Sequence, residues 1–228
     1  MMYLQAFTNK LRSKLYSSLL YRFGFGNRIS RSIWEDQFSG KHWDYLFSKP
    51  ESQHYHAIVS LYEQFGKKGK ILDVGCGQGV LYQYLNEKFG KDLDYLGIDI
   101  SEAAIKKATA LFPTGNFKQL DFDKQELFEK FDIIIFNETL YYFTKPLDTI
   151  ESCSAYNLNA NGSIIISMCD LPGHKVIWKG LKERYTFLSF QEVQNEQLQK
   201  WYVALLDVLK VAACWLMAFE PVESLMYI

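Results

Sequence analysis

Apolar side chains recur with two rhythms along this chain. The short runs Ile71 to Val74, Tyr95 to Ile98 and Phe131 to Phe136 are apolar almost throughout, as strands buried on both faces of a parallel sheet must be. Between and around them the apolar positions fall at helical spacing, predicting helices over Gly79 to Phe89, from Ser101 onward, and over Leu147 to Tyr156. Ser101 is suited to cap the second of these, with Glu102 in its first turn. Phe117 to Leu120 reads as a further strand, and Ser163 to Met168 as another after a turn at Asn159-Ala-Asn-Gly162. Strands alternating with helices predict an α/β domain.

The last third changes rhythm. His174 to Tyr185 reads as a helix, and Thr186 to Gln194 and Lys200 to Leu206 read as paired strands around a polar turn. Upstream of the first strand, Pro50 precedes a helix running to about Phe65. The segment before that is rich in aromatics, with Trp34, Phe38, Trp43, Tyr45 and Phe47 around a turn at Gly40. Those rings serve either as core packing or as a lid over a ligand.

The first 32 residues carry Lys10, Arg12, Lys14, Arg22, Arg28 and Arg31 without an acidic residue, and Leu4, Phe7, Leu11 and Leu15 share helical spacing. This predicts a basic amphipathic helix. It is read three ways: packed on the domain, resting on an anionic membrane surface, or a transit peptide. The expected division is a helical and aromatic segment over 1–66, an α/β domain over 67–207 and a helical tail over 208–228.

Composition narrows the classes. A chain of 228 residues that is 48% hydrophobic supports one sizeable domain with an appendage rather than two. Its net charge of −1 supplies no general positive field for nucleic acid, so no nucleic-acid partner is expected. The four cysteines are far apart, which argues against both a zinc site and a disulfide framework, and the expected location is the cytoplasm. The longest late apolar run, Val208 to Phe219, is short for a membrane span and contains Lys210.

The candidate chemistry gathers at strand ends. Ile71-Leu-Asp-Val-Gly-Cys-Gly-Gln-Gly79 is a strand, a glycine turn and a helix start, where the backbone allows close approach of a ligand and unpaired amides favour an anion. A dinucleotide fingerprint would continue Gly-x-Gly-x-x-Gly/Ala, whereas Val80 stands at that third place. Asp99 ends the second strand, where a carboxylate can accept from two ribose hydroxyls. Asp121 and Asp123 follow the third, as acceptors for an exocyclic adenine amine or as ordinary turn residues. Beyond Phe136 come Asn137, Glu138, Thr139, Leu140 and Tyr141, at the switch point where open α/β sheets bind ligands.

Taken together, Asp73-Val-Gly-Cys-Gly-Gln-Gly79, Gly97-Ile-Asp99-Ile-Ser101, Leu120-Asp121-Phe122 and Phe131-Asp-Ile-Ile-Ile-Phe-Asn-Glu138 resemble the successive motifs of class I S-adenosylmethionine-dependent methyltransferases. The resemblance implies a Rossmann-like, seven-stranded, mostly parallel sheet with an antiparallel last strand, helices on both faces and extra N-terminal helices. It implies S-adenosyl-L-methionine as cofactor, with Asp73, Gly75, Cys76, Gly77 and Gly79 against its methionine part. Asp99 with Ile100 would hold the ribose, Asp121 and Phe122 the adenine, and Asn137 the amino-acid end through its backbone. Glu138-Thr-Leu-Tyr-Tyr142 is also similar to the nodulation-factor N-methyltransferase group, which implies a sugar or glycan-pathway intermediate as acceptor.

In such an enzyme the protein aligns an acceptor with the methyl group and excludes water. Glu138 and Tyr141 are the side chains expected at the reaction centre. No metal cluster stands out, which favours an amine or a base-assisted hydroxyl as acceptor. His42, His54, His56 and His174 are placed by topology alone. The competing classes are a nucleotide-cofactor oxidoreductase, a cofactor-binding partner subunit without activity, and a membrane-surface scaffold.

Overall fold

The computed structural model describes residues 19–66 and 69–208. Strands β1 (Ile71–Val74), β2 (Tyr95–Asp99), β3 (Phe117–Gln119), β4 (Phe131–Asn137), β5 (Leu158–Cys169), β6 (Thr186–Gln194) and β7 (Lys200–Asp207) form one sheet in the order β3-β2-β1-β4-β5-β7-β6. β3, β2, β1, β4 and β5 run parallel to one another, and β7 lies antiparallel between β5 and β6. The helices are α1 (Arg31–Ser39), α2 (Ser52–Phe65), α3 (Val80–Phe89), α4 (Glu102–Leu111), α5 (Pro146–Tyr156) and α6 (Pro172–Arg184).

Strand periodicity divides the interior. Ile133 and Ile135 of β4 face one way, packing with Ile58, Leu61 and Tyr62 of α2 and Leu81 and Leu85 of α3. Ile134 and Phe136 face the other, with Ile150 of α5 and Ile177, Trp178 and Leu181 of α6. Both faces of β4 are therefore dry, which is why its sequence is a continuous apolar run.

Two boundaries differ from the sequence reading. The expected turn over residues 159–162 lies within the range of β5: Leu158 pairs with Phe131, and the register then shifts so that Ser163 pairs with Ile133. An irregularity of this kind holds turn-forming residues without ending the strand. α6 begins at Pro172, two residues before His174, because proline without an amide hydrogen is well suited to a first helical turn.

The expected basic helix through Leu4, Phe7, Leu11 and Leu15 and the expected tail after Val208 lie outside the described residues. Among the described residues, no helix is long and apolar enough to cross a membrane.

Candidate functional site

Parallel strands deliver their carboxyl ends to one edge of the sheet. The chain reverses strand order at β1, between β2 and β4, so the ends of those three strands surround a crevice. A cavity of about 350 Å³ opens there. Asp73, Gly75, Cys76, Gly77, Asp99, Ile100, Asp121, Phe122, Asn137, Glu138 and Tyr141 all line it. Of the residues expected in the site, Gly79 is set apart. Its backbone is left-handed with φ +85°, and an added Cβ would stand 3.0 Å from the Phe112 ring. Gly79 serves the packing of α3 against Phe112 and Phe117 rather than the cavity wall.

The glycine turn is shaped by its neighbour across the crevice. Gly75 has φ +79°, and a Cβ there would lie 2.2 Å from Thr139 Oγ1, so the loops after β1 and β4 meet with bare backbone between them. The amides of Gly75 and Cys76 donate to the Ile98 carbonyl, tying this turn to β2.

The carboxyls of this end sit in contrasting settings. Asp99 accepts from the Gly77 amide at 2.9 Å and the Ser101 amide at 2.8 Å. Burial nevertheless pushes its pKa up to about 6, because those bonds only partly offset the loss of water. Asp73 accepts from the Tyr95 hydroxyl at 2.7 Å, and burial raises it to about 7. Asp121 is held differently from the expectation of a plain acceptor: the Arg28 guanidinium ion-pairs with it and reaches Asp123 at 3.2 Å.

Arg28 arrives on a segment that crosses the crevice. The Gly26 amide donates to the Thr144 carbonyl and the Asn27 amide to the Tyr141 carbonyl, so the chain runs beside the loop after β4 before entering α1. Trp34 meets Tyr142 edge-on with ring centroids 4.9 Å apart, and Trp34, Phe38, Trp43 and Tyr45 all line the cavity. Gln78 Nε2 donates to the Trp43 carbonyl at 2.9 Å, joining this aromatic segment to the glycine turn. Phe47, counted with them in the sequence, packs instead on the core beside α2 and α3.

The opposite end carries the candidate reaction centre. Glu138 adopts a left-handed backbone with φ 53°, a conformation rare for residues with a side chain and often found at functional sites. The Tyr141 hydroxyl donates to its Oε2 at 3.0 Å, while buried Oε1 has no hydrogen-bond partner. Burial raises the Glu138 pKa, opposed by nearby His54, Cys169 and Tyr141. Burial also drives the Tyr141 phenol far above its ordinary value.

The histidines sort by surroundings that sequence topology could not supply. His54 is wholly buried, with its Nδ1 2.9 Å from Asn137 Oδ1 and its ring stacked on Trp201 at 4.9 Å. His56 meets Tyr84 edge-on at 5.0 Å. His174 stacks on Tyr141 at 4.0 Å, and its Nδ1–H donates to the Cys169 carbonyl at 2.7 Å. Burial lowers the His174 pKa, favouring the neutral ring. Sequence reading passed over Glu51, Arg28 and Trp201 as site residues; all three line the cavity although they come from widely separated segments. Among the described residues, no group of three or more His, Cys, Asp or Glu side chains is arranged to hold a metal.

An open, doubly wound sheet with a crevice where its strand order reverses is the arrangement in which α/β proteins bind ligands. A family model for a methyltransferase domain matches residues 65–212, more than half of the chain, and the chain belongs to that family. It is 28% identical over 142 residues to malonyl-[acyl-carrier protein] O-methyltransferase of Anoxybacillus flavithermus, covering 61% of this chain and 53% of the relative. It is 35% identical over 113 residues to a ubiquinone biosynthesis O-methyltransferase of Actinobacillus pleuropneumoniae, covering 45% and 46%. The chain thus spans about half the length of these curated relatives. The fold is similar to that of the N-methyltransferase NodS of Bradyrhizobium japonicum, solved with S-adenosyl-L-homocysteine, with a TM-score of 0.63 at 17% identity over 77% of this chain and 96% of NodS.

Proposed function

We propose that this chain is an S-adenosyl-L-methionine-dependent methyltransferase acting on an amino or hydroxyl group of a small molecule. The observation that carries the proposal is the buried Glu138 carboxyl, whose Oε1 lacks a partner, in the same cavity as the glycine turn and Asp99.

The residues fit the cofactor. Bare backbone at Gly75 and Gly77 admits a close-lying chain, and Asp99, with two amides bound, retains acceptor capacity for a ribose diol. Asp121 and Phe122 border the adenine end, where Arg28 orients the Asp121 carboxylate. The backbone at Asn137 borders the amino-acid end. The bound cofactor supplies an activated methyl group on a sulfonium, so acid–base demands fall on the acceptor alone. Glu138 Oε1 takes the acceptor proton, and the Tyr141 hydroxyl holds the carboxyl in place through Oε2. The aromatic segment of Trp34, Trp43 and Tyr45 acts as a lid that excludes water.

Calorimetry with S-adenosylhomocysteine and with NAD, followed by tritium transfer to amino sugars, nucleotide sugars and small amines, tests this. Binding of the first nucleoside and labelling of an acceptor are expected. Binding of NAD alone would make the protein an oxidoreductase, and cofactor binding with no labelled acceptor in a broad extract screen would make it a non-catalytic subunit.

A further inference from the structure

The cavity lining is rich in carboxyl groups and poor in cations. Among the described lining residues, Glu51, Asp73, Asp99, Asp121, Asp123 and Glu138 carry carboxyls, and Arg28 is the single lysine or arginine facing them. Arg28 is committed to Asp121 and Asp123 at the adenine end, so the Glu51 and Glu138 end has no strong cation of its own.

Glu51 and Glu138 come from distant stretches of the chain, one before α2 and one after β4, and both line the cavity. Glu51 is only 8% exposed, and its Oε2 stands 3.8 Å from His54 Nε2, too far for a hydrogen bond. His54 Nε2 and Glu138 Oε1 are both buried without partners. Tyr45 lines the cavity with both acids, and burial, then the Glu51 and Glu138 charges, push its phenol pKa up. Tyr45, Tyr142 and Trp201 supply ring surface around them. A buried carboxylate with one open oxygen, beside a second acid and aromatic faces, forms a receptor for a cation: the charge offsets desolvation, and the ring quadrupoles add attraction.

Resting on the methyltransferase reading, we propose that the acceptor is an amine that is positively charged in solution, received between Glu51 and Glu138 against the rings of Tyr45 and Trp201. The ammonium gives one proton to Glu138 Oε1. The freed nitrogen lone pair then forms the N–C bond as the C–S bond breaks, its electron pair going to sulfur. A carboxylate acceptor is disfavoured by the same two acids, and a hydroxyl leaves the Glu51 charge uncompensated.

Calorimetry on the full chain saturated with S-adenosylhomocysteine, titrated with benzylammonium, benzyl alcohol and benzoate, decides the matter. Benzylammonium is expected to bind at least ten-fold more tightly than either size-matched probe. In Glu51→Gln that preference should fall about ten-fold, or about 1.4 kcal/mol, while the affinities for S-adenosylmethionine and S-adenosylhomocysteine keep their ratio. Equal or tighter binding of benzoate or benzyl alcohol, binding of none of the three, or a Glu51→Gln effect on the sulfonium instead of the amine would overturn the proposal. Failure to bind S-adenosylhomocysteine at all would instead refute the methyltransferase reading, and the wild-type comparison stands even if the variant does not fold.

Discussion

The Glu35 carboxylate accepts from the Ala103 amide at 2.9 Å, so a residue of α1 caps the amino end of α4. The Glu102 amide and Ser101 hydroxyl complete the clasp at 2.8 and 3.0 Å. Burial alone would raise the Glu35 pKa, but the Ala103 and Glu102 amides, Arg31 and Ser101 outweigh it and hold it at about 2. Glu35→Ala should cost about 0.5–2 kcal/mol, the usual range for a lost helix cap, measured by urea unfolding. Because the folded value is depressed, this contribution is complete above the unfolded value and fades as pH falls toward 2. A variant that matches the wild type from pH 7 to pH 3 would show that the clasp contributes nothing.

Asp99 and Asp123 both lie near the cavity, yet their commitments differ. Asp99 has spare acceptor capacity beside the glycine turn, whereas Asp123 is taken up by Arg28 and by the Thr144 hydroxyl at 2.6 Å. Asp99→Ala should weaken S-adenosylhomocysteine binding by about 1.5–3 kcal/mol, the range for a bond to a charged group, and Asp123→Ala by much less. Wild-type affinity should also improve as pH rises through about 6 and Asp99 ionises. Equal affinities in the two variants would remove Asp99 from the ribose site.

Asp73 makes stability depend on pH in the opposite sense from Glu35. Burial raises its pKa to about 7, so the folded state retains a proton that the unfolded chain releases near pH 4. Its contribution is complete below pH 4 and is lost as pH rises toward 7. Against Asp73→Asn, the wild type should lose on the order of 4 kcal/mol across that window. Parallel denaturation curves at pH 4, 5.5 and 7 measure the difference, and a constant gap would contradict the assignment.

For Glu138→Gln, kcat should fall about 10²- to 10⁴-fold, the span of general-base catalysis, with little change in S-adenosylhomocysteine affinity. Tritium-transfer kinetics paired with calorimetry separate those readouts. An unchanged kcat would mean that the acceptor proton leaves by another route.

Local pattern was sufficient for the scaffold and for one side of the site. The unbroken apolar run at Phe131 to Phe136 announces a central strand because both its faces are covered, and strand ends followed by glycine or acid announce the crevice. The strand-end positions of Asp73, Asp99 and Asn137 were therefore legible: each lies at the last residues of a strand whose neighbours fix its place. Gly79 misled because its spacing is shared by ligand contact and helix packing, and only the position of Phe112 separates them. Even the turn-like residues 159–162 could be absorbed by β5, since pairing on both sides of a register shift maintains a strand that local propensity would end. Glu51, Arg28 and Trp201 reach the cavity because side chains from distant segments converge, which no local period encodes. Tertiary packing decided which polar atoms lost water and which found partners, and that burial raises the pKa values of Asp73 and Glu138, which no local sequence pattern encodes.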